Sequence, residues 1–192
     1  KPMLESSGGQ FYIVTGYKQN DIRLNNDETH VNKKRRELVF DSITKQPVYQ
    51  EKLKVMKQFN EQVIERSITQ FSIDGLQRLS TEVPYLYVSN HRDIVLDSSL
   101  LQYELVTHGF QTTEITFGAN LMCTPLIIDI GKSNKMFRVE RGGTPKEFYR
   151  CSMHLSEYIR HVITEKHSSV WIAQRNGRTK DGHDRTDQGI IK

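Results

Sequence analysis

The sequence predicts an α/β fold: a mostly parallel sheet flanked by helices, with a helical region ahead of it. Three observations lead there. Short apolar runs rich in Val, Ile, Tyr and Trp, at residues 85–88, 114–117 and 170–173, have the length and composition of buried strands. Stretches of helical periodicity separate them, and that alternation builds parallel sheets. A chain of 192 residues can bury one sizeable core, and no internal repeat divides it.

The first twenty residues, with Ser6-Ser7-Gly8-Gly9, show little periodicity and are expected to form an arm. Asn25, Asn26, Asp27 and Glu28 supply cap and first-turn chemistry for a helix reaching about residue 43, whose Lys33-Lys34-Arg35-Arg36 cluster suits a solvated face. Over residues 50–70, Met56, Phe59, Val63 and Ile64 recur at helical spacing and predict an amphipathic helix with a core-facing stripe. Tyr85 to Val88 is the first buried strand; Ser89 and Asn90 end it and deliver His91, Asp93 and Asp97 at its exit. A helix over residues 98–106, stopped by Gly109, precedes the strand at 114–117. Residues 121–130 are an apolar helix or turn interrupted at Pro125.

Thr144-Pro145-Lys146-Glu147 is a capping box with proline at the first helical position, so a helix starts there and runs to about residue 166, with Phe148, Leu155, Ile159 and Val162 as its apolar stripe. Val170-Trp171-Ile172-Ala173 is the last strand, followed by a polar loop over residues 175–189.

The net charge of +4 is unevenly spread. Residues 132–192 hold 13 Lys/Arg against 7 Asp/Glu, a net of +6, which leaves −2 for the rest. A basic region suits phosphate-bearing ligands and an anionic membrane surface. Nucleic acid is disfavoured, because no zinc finger, ribonucleoprotein motif or basic coiled coil is present. Two cysteines, Cys123 and Cys151, make neither a disulfide framework nor a zinc site, and they point to a reducing cytoplasm and to small buried or partly buried hydrophobes. No apolar run approaches the ~20 residues that cross a bilayer, and no secretory signal pattern is seen, so contact with lipid is expected from the surface.

His91-Arg92-Asp93 has the letters of a kinase catalytic loop, but position 98 is Ser where a kinase needs Asn, and neither a Gly-rich loop nor Asp-Phe-Gly is present. His154, His161 and His167 lie on or near one helix without a Glu or Cys to complete a ligand set, so no metal site is expected.

Three further segments stand in a telling order. Phe71-Ser72-Ile73-Asp74-Gly75-Leu76-Gln77-Arg78-Leu79 precedes the histidine strand, Phe137-Arg138-Val139-Glu140-Arg141 follows it, and Ala173-Gln174-Arg175-Asn176-Gly177-Arg178-Thr179-Lys180 comes last. Together with His91 and its aspartates, over residues 71–182, this order resembles the glycerolipid acyltransferase family. The resemblance implies a short strand and Gly-Leu turn at 71–79, a second-motif arginine at Arg141 and a third-motif arginine at Arg178. It also implies transfer of a fatty acyl chain from acyl-CoA or acyl-carrier protein to a glycerophosphate hydroxyl, most of all that of 1-acylglycerol 3-phosphate, in phospholipid biosynthesis. No other cofactor is implied. The expected place is cytoplasmic, peripheral on the inner face of the cell membrane.

Such chemistry needs a base near neutrality for the hydroxyl proton and a carboxylate to fix its tautomer, roles that fall to His91 and to Asp97 or Asp93. The family has four residues between histidine and aspartate; here Leu96 fills that slot, and Asp97 is favoured because Ser98-Ser99-Leu100-Leu101 follows it as the family helix follows its aspartate. Arginine forks suit phosphate, which gives Arg141, Arg178 and additionally Arg138, while Asn176 and Gly177 would position the acceptor. The third motif departs from the family, with Arg175 and Asn176 where glutamate and glycine belong, and Lys135 takes a usual glycine slot in the second. Acceptors that follow are 1-acylglycerol 3-phosphate, glycerol 3-phosphate or an amino-acid lipid; a non-catalytic lipid- or phosphate-binding relative is the other class. The expected organisation is one domain, with residues 1–70 as an arm and helices packed on an α/β core of residues 71–192. Since the family expects a further strand and a proline-containing motif, the chain is expected to be a piece of a longer protein.

Overall fold

The computed structural model describes residues 11–14, 47–140, 143–181 and 183–188. The helix expected to reach residue 43, with its basic cluster, and Arg141 lie outside the described residues. The chain divides into two compact units, Lys1–Gly16 with Gly75–Lys192, and Tyr17–Asp74.

The second unit contributes one long helix, α1 (Pro47–Ser67). Its less exposed stripe runs Leu53, Met56, Asn60, Val63, and Asn60 is buried with its amide donating to the Met56 carbonyl at 2.8 Å. Phe59, expected on that stripe, is exposed, because it sits one helical step of about 100° away from Asn60. The short strand expected at 71–74 does not form; the segment is irregular, Phe71 and Ile73 are exposed, and none of the described strands pairs with it. A single 3-10 turn, Leu76–Arg78, follows Gly75, whose φ of 86° only glycine adopts cheaply.

The first unit is a five-stranded sheet. Its strands are β1 (Phe11–Val14), β2 (Leu86–Ser89), β3 (Glu114–Gly118), β4 (Met136–Val139) and β5 (Val170–Ala173), in the order β1-β2-β5-β3-β4. β2, β5, β3 and β4 are mutually parallel, and β1 pairs antiparallel on the outer side of β2, Phe11 opposite Ser89 and Val14 opposite Leu86. That strand falls in the segment expected to be an arm. Its Phe-Tyr-Ile-Val run carries full strand propensity, and its four residues are too few for periodicity to reveal.

Three helices connect the parallel strands: α2 (Leu96–Thr107), α3 (Pro125–Ser133) and α4 (Pro145–Thr164). The connection from β2 to β3 crosses over β5, and the return from β4 to β5 crosses over β3 in the opposite direction, so right-handed crossovers place α2 and α4 on opposite faces. The cores agree. Tyr85, Tyr87, Ile115 and Trp171 pack with Leu101 and Leu105 of α2, whereas Val88, Val170 and Ile172 pack with Val162 of α4. Alternation along each strand produces this division, and the register pairs like with like, Tyr87 beside Trp171 and Val88 beside Ile172. Each of these buried side chains contributes about 1.5–3 kcal/mol by leaving water.

α4 begins with the capping box, Thr144 accepting from the Glu147 amide while Glu147 accepts from the Thr144 amide at 2.8 Å. In its C-terminal half Val162 is buried and Leu155, Tyr158, Ile159 and Ile163 are half-buried, but Phe148, expected on the core stripe, is exposed with Tyr149 and Met153. Length explains this. A 20-residue helix is ~30 Å long, a four-residue strand only ~13 Å, and α4 runs back against the strands, so its first turns project past the C-terminal edge of the sheet. α3 starts at Pro125 under a Thr124 cap, since proline at the first position needs no donor. Cys123, in the turn just before that cap, is exposed rather than buried. Among the described residues no helix is long and apolar enough to cross a membrane.

Candidate active site

Because the four strands run parallel, their C-terminal ends share one edge, where open α/β sheets bind ligands. β2 and β5 are neighbours there. Ser89 closes β2 by accepting the Trp171 indole N–H at 3.0 Å, so the last strand residue is tied to the core beneath. The chain then turns, and His91, 9% exposed, lies on the loop toward α2.

His91 Nδ1 lies 3.0 Å from Asp97 Oδ2. Asp97 is in the first turn of α2, and its carboxylate also accepts from the amides of Arg92 at 2.8 Å and Asp93 at 3.1 Å. A carboxylate offers only acceptors, so in the neutral imidazole Nδ1 carries the proton and Nε2 keeps the lone pair. Among the described residues Nε2 has no hydrogen-bond partner. Asp93 is turned elsewhere, accepting from the amides of Val95 and Leu96 at 2.8 Å each, which caps the start of α2. The six-residue step from His91 to Asp97 is spanned because Asp93 folds the intervening loop into a cap.

The segment after β5 closes over this loop. The Thr179 amide donates to the His91 carbonyl at 2.9 Å, so Arg178, exposed, stands one residue from a direct contact with the histidine loop. Gly177 has φ 80° and open space where a Cβ would stand, so its conformation rather than crowding requires glycine. Asn176 is exposed beside it. Arg138 is the exposed residue of β4, 2.5 Å from Glu140, and is thereby committed to a local ion pair.

Two residues that the motifs did not single out organise the site. Gln174 donates its backbone N–H to the Ser89 carbonyl at 2.9 Å and its side-chain amide to Asn90 Oδ1 at 3.0 Å, while its side-chain oxygen accepts from Thr186 at 3.0 Å. Asp184 Oδ2 accepts the His91 backbone N–H at 3.0 Å and lies 3.8 Å from Arg92 Nε. Gln174 was legible as a polar residue ending an apolar strand; Asp184 had no local signal among Asp181, Asp184 and Asp187. Asp181 accepts from His183 N at 3.0 Å and bonds Thr179, and these bonds hold its carboxyl below the ordinary range. Among the described residues no group of three His, Cys, Asp or Glu has metal-holding geometry.

The arrangement is a carboxylate-oriented imidazole with an open nitrogen, at a sheet edge whose loops carry Arg92 and Arg178 and where apolar groups are exposed: Ile94 and Val95 on the histidine loop, Phe148 and Tyr149 at the start of α4. The chain matches no family model, no curated protein and no solved structure.

Proposed function

We propose that the protein is an acyltransferase that moves a fatty acyl chain from acyl-CoA or acyl-carrier protein to a hydroxyl of a glycerophosphate, most of all 1-acylglycerol 3-phosphate, at a membrane surface on the cytoplasmic side. The observation that carries the reading is the 3.0 Å contact of His91 Nδ1 with Asp97, which leaves Nε2 open at the ligand edge of the sheet. In this reading Nε2 takes the proton of the acceptor hydroxyl as its oxygen attacks the thioester carbonyl. Asp97 stabilises the imidazolium that forms. The tetrahedral intermediate collapses with cleavage of the C–S bond, and the imidazolium returns the proton to the leaving thiolate, so ester and thiol are the products.

Arg178 holds the acceptor phosphate in this scheme, with Arg141 as its partner from the second motif. Arg138 is the weaker choice because Glu140 already neutralises it. The exposed apolar side chains on the histidine loop and the first turns of α4 are suited to an acyl chain and a lipid surface, and Lys146 and Arg150 beside them suit anionic headgroups. The altered third motif favours comparison with glycerol 3-phosphate and amino-acid-lipid acceptors, and with a binding module without chemistry.

The test is release of free thiol by the full-length protein from acyl-CoA and from acyl-carrier protein, with glycerol 3-phosphate, lysophosphatidic acid and lyso amino-acid lipids as acceptors. Acceptor-dependent thiol release that His91→Ala abolishes is the expected result. Lipid binding without thiol release in any combination would establish the binding module instead.

A further inference from the structure

We infer that Asp184 is a positioning residue for His91, holding the imidazole in register with Asp97 from the far side of the loop. The inference rests on the reading of His91 as the reacting base. β2 ends at Ser89, so the His91 backbone has left the strand ladder and its polar groups need partners from elsewhere. Both partners come from the segment after β5: the N–H donates to Asp184 Oδ2 at 3.0 Å, and the carbonyl accepts from the Thr179 N–H at 2.9 Å. The ring is fixed by Asp97. His91 is thus held at its amide, its carbonyl and Nδ1, and only Nε2 is left open.

Asp184 reaches this place from 93 residues away in sequence. Its side chain is 4% exposed, and Arg92 Nε at 3.8 Å supplies the opposite charge that a buried carboxylate requires. The segment cannot swing aside, because the Asp184 carbonyl accepts from Gln174 Nε2 at 3.4 Å and the Asp187 amide donates to the Gln174 carbonyl at 2.9 Å. The second carboxylate oxygen, Oδ1, is buried and takes no hydrogen bond among the described residues. An asparagine can therefore keep its single oxygen on the His91 amide, giving up only the charge that faces Arg92.

Misplacing a reacting group by about 1 Å costs up to roughly a hundredfold in rate. Asp184→Ala should lower turnover by about ten- to a hundredfold with donor KM unchanged, and Asp184→Asn should recover most of it. The ring gives a second readout that needs no activity. In the unaltered protein the Nδ1 proton of His91, identified by its loss in His91→Ala, should give a hydrogen-bonded downfield NMR signal. Asp184→Ala should broaden that signal through solvent exchange, and Asp184→Asn should keep it. Unchanged turnover and an unchanged signal in Asp184→Ala would overturn the inference, whatever its melting temperature. If that variant does not fold, hydrogen exchange of the unaltered protein decides: a His91 amide without protection overturns the inference, and a protected one supports it. If no thiol is released by the unaltered protein while the signal behaves as described, the positioning role stands and the reaction class falls.

Discussion

The two edges of the sheet are built from the same materials to opposite ends. At the N-terminal edge Glu114, buried at the start of β3, accepts the Tyr158 hydroxyl on Oε2 at 2.6 Å and Lys166 on Oε1. Thr113 and Gln102 bond each other twice, at 2.7 and 2.8 Å, and the Tyr85 amide donates to Ser169 at 3.0 Å. These groups close on one another. At the C-terminal edge the groups are bonded as densely, Asp97 to the His91 ring, Asp184 and Thr179 to its backbone and Gln174 to Asn90 and Asp184, yet the second ring nitrogen remains open. A polar cluster of itself therefore distinguishes nothing. The informative feature is a ring nitrogen that the network orients and does not use.

Electrostatics follow the same division. Burial works to lower the pKa of Lys166, but the hydrogen bond and charge of Glu114, with help from Tyr158, outweigh it and raise it. Tyr158 is raised by burial and by Glu114. Both shifts hold the network in its paired state at neutral pH, as expected of a fastening.

The contrast breaks most sharply at His91. His91→Ala should lower acyl transfer by about 10²- to 10⁴-fold with an unchanged melting temperature; a large loss of stability with turnover per folded molecule preserved would make the C-terminal edge a second fastening. Glu114→Ala should do the reverse, costing about 1–3 kcal/mol in denaturant unfolding while turnover stays near that of the unaltered protein. A fall in turnover there without a fall in stability would join the two edges functionally.

Between the arginines a finer difference is expected. Arg178→Ala should raise the acceptor KM by about tenfold, the value of one charge-assisted contact, whereas Arg138→Ala, already neutralised by Glu140, should leave it unchanged. Equal effects would remove the distinction drawn from the ion pair. The smallest effect is alkaline. Burial, with a smaller contribution from Tyr85, pushes the Tyr87 hydroxyl up from 10.0 to about 12. A raised folded pKa gives stability that is full below pH 10 and is lost as pH climbs toward 12, because ionisation is easier in the unfolded chain. Tyr87→Phe should flatten the unfolding free energy across that window, and an equally steep decline would assign the alkaline limb to Tyr158 and Lys166.

Much of the fold was legible because its signals were local. The Thr144 capping box marked the start of α4, and the apolar runs at β2, β3 and β5 are bounded by polar residues. The failures were signals that only neighbours decide. Phe71 and Ile73 alternate like a strand but pair with none of the described strands; Phe148 continues a correct stripe beyond the end of the sheet that would bury it. In the site, the approach of Asp97 to His91 was readable from its place at the head of a helix, but the competing Asp93 differs only in that its oxygen finds amides two and three residues on. Asp184 was unreadable, since a contact across 93 residues leaves no trace in its own neighbourhood.

The position of β5 governs the order in which this molecule can be assembled. It follows β2, β3 and β4 in the chain, yet it lies between β2 and β3, so a chain emerging from the ribosome can pair β3 with β4 but cannot join that pair to β2. Non-local pairings of this kind are slow and leave strand edges exposed meanwhile. Nascent chains arrested before Val170 should stay fully protease-sensitive, and protection should arrive in one step once residues 170–188 have cleared the exit tunnel; protection of β2 and β3 in shorter chains would refute this order. Since Thr179 and Asp184 also lie in that final stretch, the histidine is locked at the same moment as the sheet. A chain stopped before β5 then lacks both the joined sheet and the bonds that orient His91.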